Sequence, residues 1–149
     1  MNRKLTHVDE AGRARMVDVS AKSTGRREAR AEGRVLVAPA TREVVLSAGL
    51  PKGNPFEVAR LAGIQAAKRT SELVPLCHNL PLDWVDVQIA VVEEGFRVTA
   101  DVVCRSATGV EMEALTAVSV AALTLYDMCK AVDKSITISD IRLVYKRKA

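Results

Sequence analysis

Apolar and polar positions alternate from Arg27 to Val37. Ala29, Ala31, Gly33, Val35 and Val37 fall on one face, and Glu28, Arg30, Glu32 and Arg34 on the other. A period of two with one charged side is that of a strand with one face on a core. A short helix is expected next, from Thr41 as N-cap to a stop at Gly49. A second helix opens at Asn54-Pro55, where Asn54 can cap, Pro55 occupies the first helical position and Glu57 follows the cap by three. It should run to about Arg69, and Pro75 ends any continuation. Residues 83–104 predict a hairpin: Val85, Val87, Ile89 and Val91 alternate, Glu94-Gly95 forms the turn, and Phe96, Val98, Ala100 and Val102 resume the period. Residues 110–132 predict the longest helix. From Ala114 to Tyr126 it carries no charge and shows no polar stripe, so it should be covered on most sides. A last strand spans 136–146. Its phase slips at Ser139-Asp140, which predicts a bulge.

Strand, helices, strand, strand, helix, strand is the order of a split β-α-β plan. The fold class expected is α+β and ferredoxin-like, with an antiparallel four-stranded sheet and helices packed on one face. Residues 1–26 lack periodicity apart from an apolar cluster at Met16, Val17 and Val19, and read as an N-terminal arm that docks in its middle. Residues 27–149 form a single domain.

Five aromatic residues in 149 leave the core to Ala, Val, Leu and Ile. Small side chains bury little area each, so part of the stability should come from assembly with other subunits. The formal charge of +4 suits an anionic partner without naming one. Cys77, Cys104 and Cys129 are odd in number and widely spaced, which reads as reduced thiols in a cytoplasmic protein. No signal-peptide run and no uninterrupted membrane-length stretch is present, so no membrane partner is expected.

Several polar residues stand beside apolar or turn-forming segments. Asp127 and Lys130 are three apart and share a helical face at the end of an apolar run, where partial desolvation would suit an acid–base pair. A plain surface salt bridge is the commoner meaning of that spacing. His78 could shuttle protons, bind phosphate or ligate a metal. The other thiols are too scattered to complete a zinc set with Cys77-His78, so no metal site is expected. Lys52 and Lys68 could bind phosphate. With no P-loop and no G-x-G-x-x-G, such a site would rest on side-chain cations and helix N-termini. Glu113 and Asp127 lie 14 residues apart, about 21 Å along a straight helix. If both serve one compact site, that site is shared between subunits.

At these residues the chain resembles the MoaC family of cyclic pyranopterin monophosphate synthases. The matching segments run from Leu5-Thr6-His7 through Met16-Val17-Asp18-Val19-Ser20-Ala21-Lys22, Arg27-Glu28-Ala29-Arg30-Ala31, the stretch Ala62 to Thr70, Pro75-Leu76-Cys77-His78 and Thr108 to Thr116, ending at Tyr126-Asp127-Met128-Cys129-Lys130-Ala131-Val132. Asn79 departs from the Pro expected after the Cys-His pair, and the chain ends soon after its last strand. The resemblance implies a ferredoxin-like fold, a homohexamer built as a trimer of dimers, and active sites at subunit interfaces. It implies conversion of 3′,8-cyclo-7,8-dihydroguanosine 5′-triphosphate to cyclic pyranopterin monophosphate, with loss of diphosphate. It places the family's catalytic Asp on Asp127 and its Lys on Lys130. Substrate contacts fall on Leu76, Cys77, His78, Met112 and Glu113, with Lys52 and Lys68 near the site. Asp18, Lys22 and Glu111 are additional candidates.

Under that reading Asp127 and Lys130 move protons with His78 assisting, while Lys52, Lys68 and His78 meet the charge on departing diphosphate. No cofactor is firmly implied. No carboxylate cluster demands Mg²⁺, and its use stays open. The rival is a basic ferredoxin-like RNA-binding module. Such sheets stack bases on aromatic residues, and Trp84, Phe96 and Tyr145 are too few and scattered for the usual platform.

Overall fold

A computed structural model describes residues 5–149; the first four residues of the expected arm lie outside them. The elements are β1 (Gly25–Leu36), α1 (Pro39–Leu46), α2 (Pro55–Lys68), α3 (Thr70–Leu73), β2 (Trp84–Val92), β3 (Gly95–Ser106), α4 (Glu111–Cys129) and β4 (Thr137–Lys148). The strands form one sheet in the order β2-β3-β1-β4, and all three neighbouring pairs are antiparallel. This is the α+β architecture expected, with split β-α-β connectivity.

The alternation read in β1 sorts its side chains as predicted. Ala29, Ala31 and Val35 are buried and meet the core, whereas Arg30, Glu32 and Arg34 stand on the opposite face. α2 and α4 pack on each other and on the core face of the sheet. Their contact is close because Gly63 has no side chain: a Cβ there would lie 2.9 Å from the Ala117 carbonyl oxygen and 3.2 Å from the Ala121 Cβ. Ala59, Ala114, Ala117, Ala121 and Ala122 are all but fully buried, so the core is built from small residues in tight apposition. Phe56 on the first turn of α2 meets Phe96 of β3 edge to face, with centroids 5.3 Å apart. By length and composition α4 could cross a membrane, yet half of it is buried inside the protein as the central core helix.

Several boundaries differ from the sequence reading. β1 already includes Gly25 and Arg26, because register with β3 continues to Gly25↔Ser106. α1 starts at Pro39, not after a Thr41 cap. The Ala38 cap position offers no side-chain acceptor, and Thr41 is spent on a buried bond to Asp133. α2 starts where expected, with the Asn54 carboxamide oxygen accepting the Phe56 N–H at 3.0 Å. The hairpin turn is Glu93-Glu94, one residue earlier than expected, and Gly95 already pairs with Val92. Gly95 has φ +147°, and a Cβ there would strike the Val35 carbonyl, so the position needs glycine as a paired residue. The predicted bulge in β4 is present: Glu32 pairs with Arg142 and Arg34 with Ser139, and Asp140 takes φ +53° to absorb the extra residue. A second shift at Arg30/Ala31 was not expected.

Candidate active site at the two ends of α4

The nominated residues gather in two places. The first lies at the start of α4. There Leu76, Cys77 and His78 come against Glu111, Met112 and Glu113 around a cavity of about 260 Å³. Thr108 and Gly109 also line it, and the chain just before them is held by Arg27, whose guanidinium donates to the Ser106 carbonyl at 3.2 Å and the Ala107 carbonyl at 3.1 Å. The arm closes one side with Val17, Val19 and Lys22. His78 Nε2 lies 2.7 Å from the Val17 carbonyl oxygen. A carbonyl can only accept, so Nε2 carries the hydrogen and Nδ1 is left as the ring's acceptor whenever His78 is neutral.

The pocket is acidic at its base. Glu113 is buried, 4% exposed, and burial pushes its carboxyl above the usual range, opposed by its own amide N–H and reinforced by Glu111. Glu111 Oε1 meets Lys146 of β4 at 3.1 Å, while Oε2 is buried without a partner. The Cys77 thiol is raised by burial first and then by repulsion from Glu113 and Glu111. Two carboxylates with an unanswered acceptor suit a ligand fragment rich in N–H donors.

The second place is the far end of α4. Asp127 binds two ammonium groups: Lys52 Nζ reaches Oδ2 at 2.8 Å and Lys130 Nζ reaches Oδ1 at 2.9 Å. Lys52 arrives from the loop between α1 and α2, so the cluster joins two chain segments and is more than a bond within one helix. The hydrogen bond from Lys52, followed by that from Lys130, holds the Asp127 carboxyl at about 2, and the same contact raises Lys130. The partial desolvation expected for this pair is absent within one chain, since the Asp127 side chain is 51% exposed. The reason is geometric: the last turn of α4 carries Asp127 and Lys130 on its uncovered side, while Met128 and Cys129 face inward. None of the three cluster residues lines the acidic cavity.

The remaining candidates separate. Lys68 is exposed at the end of α2 and does not line the cavity. Asp18 is exposed; its carboxylate accepts the Ser20 N–H at 2.9 Å and shapes the arm's turn. Lys22 does reach the cavity wall. Sequence reasoning missed His7, Val17, Val19, Leu80, Thr108 and Gly109 as lining residues. The signal was present for all but Leu80, because His7, Val17, Val19, Thr108 and Gly109 stand inside segments already matched to the family. Among the described residues no group of three or more His, Cys, Asp or Glu comes together as a metal set.

The open face of the sheet bears on the RNA alternative. Phe96 is fully buried on the helix side, leaving Trp84 and Tyr145 beside the Arg30–Asp101 ion pair. Two aromatic residues separated by a closed salt bridge make no base-stacking platform.

Comparison with known proteins converges on one family. The MoaC family model matches residues 16–149. A cyclic pyranopterin monophosphate synthase of Chloroflexus aggregans is 57% identical over 146 residues, covering 97% of this chain and 88% of the relative. One of Streptomyces griseus is 55% identical over 143 residues, covering 96% and 81%. A molybdenum cofactor biosynthesis bifunctional protein of Chlorobaculum tepidum is 54% identical over 143 residues, covering 96% of this chain and 46% of that longer protein. Matched across most of its length by the family model and by relatives 54–57% identical, the chain belongs to the MoaC family.

Proposed function

We propose that this chain is a cyclic pyranopterin monophosphate synthase of molybdenum cofactor biosynthesis. It takes (8S)-3′,8-cyclo-7,8-dihydroguanosine 5′-triphosphate and forms cyclic pyranopterin monophosphate with release of diphosphate. The relatives' names support the reaction. The structural observation that carries it is the cluster in which one carboxylate, Asp127, bridges Lys52 and Lys130.

Charge sorts the substrate. The lysine end meets the triphosphate, whose leaving diphosphate needs cations. The acidic cavity meets the guanine-derived ring, whose N–H groups answer Glu111 and Glu113. In the free chain Asp127 is a poor base, because two ammonium groups occupy its oxygens. A phosphate that draws Lys52 away removes one of them and makes Asp127 more basic when substrate is present. Lys130 then shares the proton transfers with it, and His78 Nδ1 assists from the cavity.

The two ends of α4 are too far apart for one nucleotide within one chain. We assign the working site to two subunits, one giving Lys52, Asp127 and Lys130 and the other giving His78, Glu111 and Glu113. A homohexamer built as a trimer of dimers supplies such pairs, and closure between subunits would supply the shielding that Asp127 lacks alone. Exposed Leu61 and Leu123 on the helical layer support assembly. The site is read as needing no resident cofactor, and any Mg²⁺ enters on the triphosphate. Three free thiols suit a cytoplasmic setting.

The direct test supplies the purified protein with the cyclised nucleotide. The proposal expects pterin product and diphosphate to appear together in equal amounts. Failure to form pterin, or diphosphate release without it, overturns the proposal.

A further inference from the structure

Asp133 is buried, 6% exposed, where α1, the end of α4 and the start of β4 meet. Its carboxylate accepts four hydrogen bonds. Oδ2 takes the Ala38 N–H and the Thr41 hydroxyl, each at 2.9 Å. Oδ1 takes the Ser135 N–H at 2.7 Å and the Ser135 hydroxyl at 2.6 Å. Its own N–H returns to the Cys129 carbonyl at 3.1 Å, in the last turn of α4. Since Ala38 cannot cap α1, a carboxylate 95 residues further along the chain binds the start of that helix instead.

The position matters because of what each segment carries. α1 runs into the loop that holds Lys52, and Lys130 stands three residues before Asp133. The Lys52 loop is anchored at its far end by the Asn54 cap of α2. Its near end depends on α1, and α1 is tied to the end of α4 through Asp133.

We propose that Asp133 is a positioning residue for the Lys52–Asp127–Lys130 cluster, clamping the start of α1 to the end of α4 so that both ammonium groups reach one carboxylate. The activity arm of its test rests on the proposed function; the clamp itself does not. Asp133→Asn keeps the volume but turns an amide toward one pair of donors, breaking half of the clamp. Thr41→Val removes only the α1 hydroxyl. Two readouts are taken on each variant: the titration of the Asp127 carboxyl by carbon-13 NMR, and kcat with KM.

In Asp133→Asn the Asp127 midpoint is expected to rise from about 2 toward the ordinary 3.8. kcat should fall ~10-fold or more with KM changed less, as small misplacements of reacting groups do. Thr41→Val should move both readouts the same way by less. A purely structural Asp133 would lower the melting temperature and leave the Asp127 midpoint in place, and that result in folded Asp133→Asn overturns the proposal. If Asp133→Asn does not fold, an unmoved Asp127 midpoint in Thr41→Val overturns it equally. If the unsubstituted protein makes no pterin, the proposed function falls, while the titration still decides the clamp.

Discussion

At the scale of single residues, the site contains two carboxyls displaced in opposite directions for opposite reasons. Asp127 is held low by two cations in a half-exposed setting, and Glu113 is held high by burial among apolar and acidic neighbours. Each makes a prediction. Asp127→Asn keeps shape but cannot become a base, and Lys130→Ala removes the adjacent donor. Either should leave a folded assembly whose product formation falls by at least ~10²-fold, the usual scale of general acid–base catalysis. Near-normal turnover in either variant removes that residue from the chemical step. Glu113 has a folded pKa above its unfolded one, so its charge weakens folding at pH values above the unfolded pKa and the penalty fades as pH falls. Glu113→Gln should therefore stabilise the protein at pH 8, while reducing turnover. Denaturant melts at pH 8 and pH 4 check the sign: the gain should shrink at the lower value.

At the scale of elements, the two ends of α4 are registered by the α2–α4 contact and by the Asp133 clamp. Gly63→Ala places a methyl 2.9 Å from the Ala117 carbonyl oxygen. Overpacking of this kind costs about 1–3 kcal/mol, against up to about 1 kcal/mol gained in helix propensity. A lowered midpoint in urea is the expected result. Asp133 is held at about 2, first by the Ser135 hydroxyl and then by the amides and the Thr41 hydroxyl around it. A depressed carboxyl stabilises the fold above its unfolded pKa near 4, and that contribution is lost as pH falls toward 2. The stability gap between the unsubstituted protein and Asp133→Asn should therefore be full at pH 6 and narrow between about pH 4 and pH 2, measured by thermal melts.

Elements whose signal is local were legible from the sequence. The period of two in β1 and the hairpin, the Asn54-Pro55 start of α2 and the slip at Ser139-Asp140 each depend on neighbours within a few residues. What escaped depended on distant partners. The start of α1 is set by Asp133, far along the chain, so Thr41 looked like a cap when it is a tether. Gly95 looked like the tip of a turn because the Val35 carbonyl that excludes a Cβ belongs to another strand. In the site, the residue types and the Asp127–Lys130 spacing were readable, but the seating of Lys52 on Asp127 was not, because it crosses from one loop to another helix. The docking of the arm's Val17 on His78 is of the same kind.

At the scale of the whole molecule, α4 carries a lysine–carboxylate cluster at one end and a cavity lined by two carboxyls at the other, which the proposed function assigns to the triphosphate and the ring. In the proposed assembly a working site joins the Asp127 end of one subunit to the Glu113 end of another. Subunits carrying Asp127→Asn can be mixed with subunits carrying Glu113→Gln after dissociation and reassembly, with pterin formation as the readout. Each variant alone should be close to inactive. Mixed assemblies should recover a substantial fraction of activity, because some interfaces then pair an intact lysine cluster with an intact acidic cavity. Assemblies shown to be mixed, yet no more active than either parent, would contradict the claim.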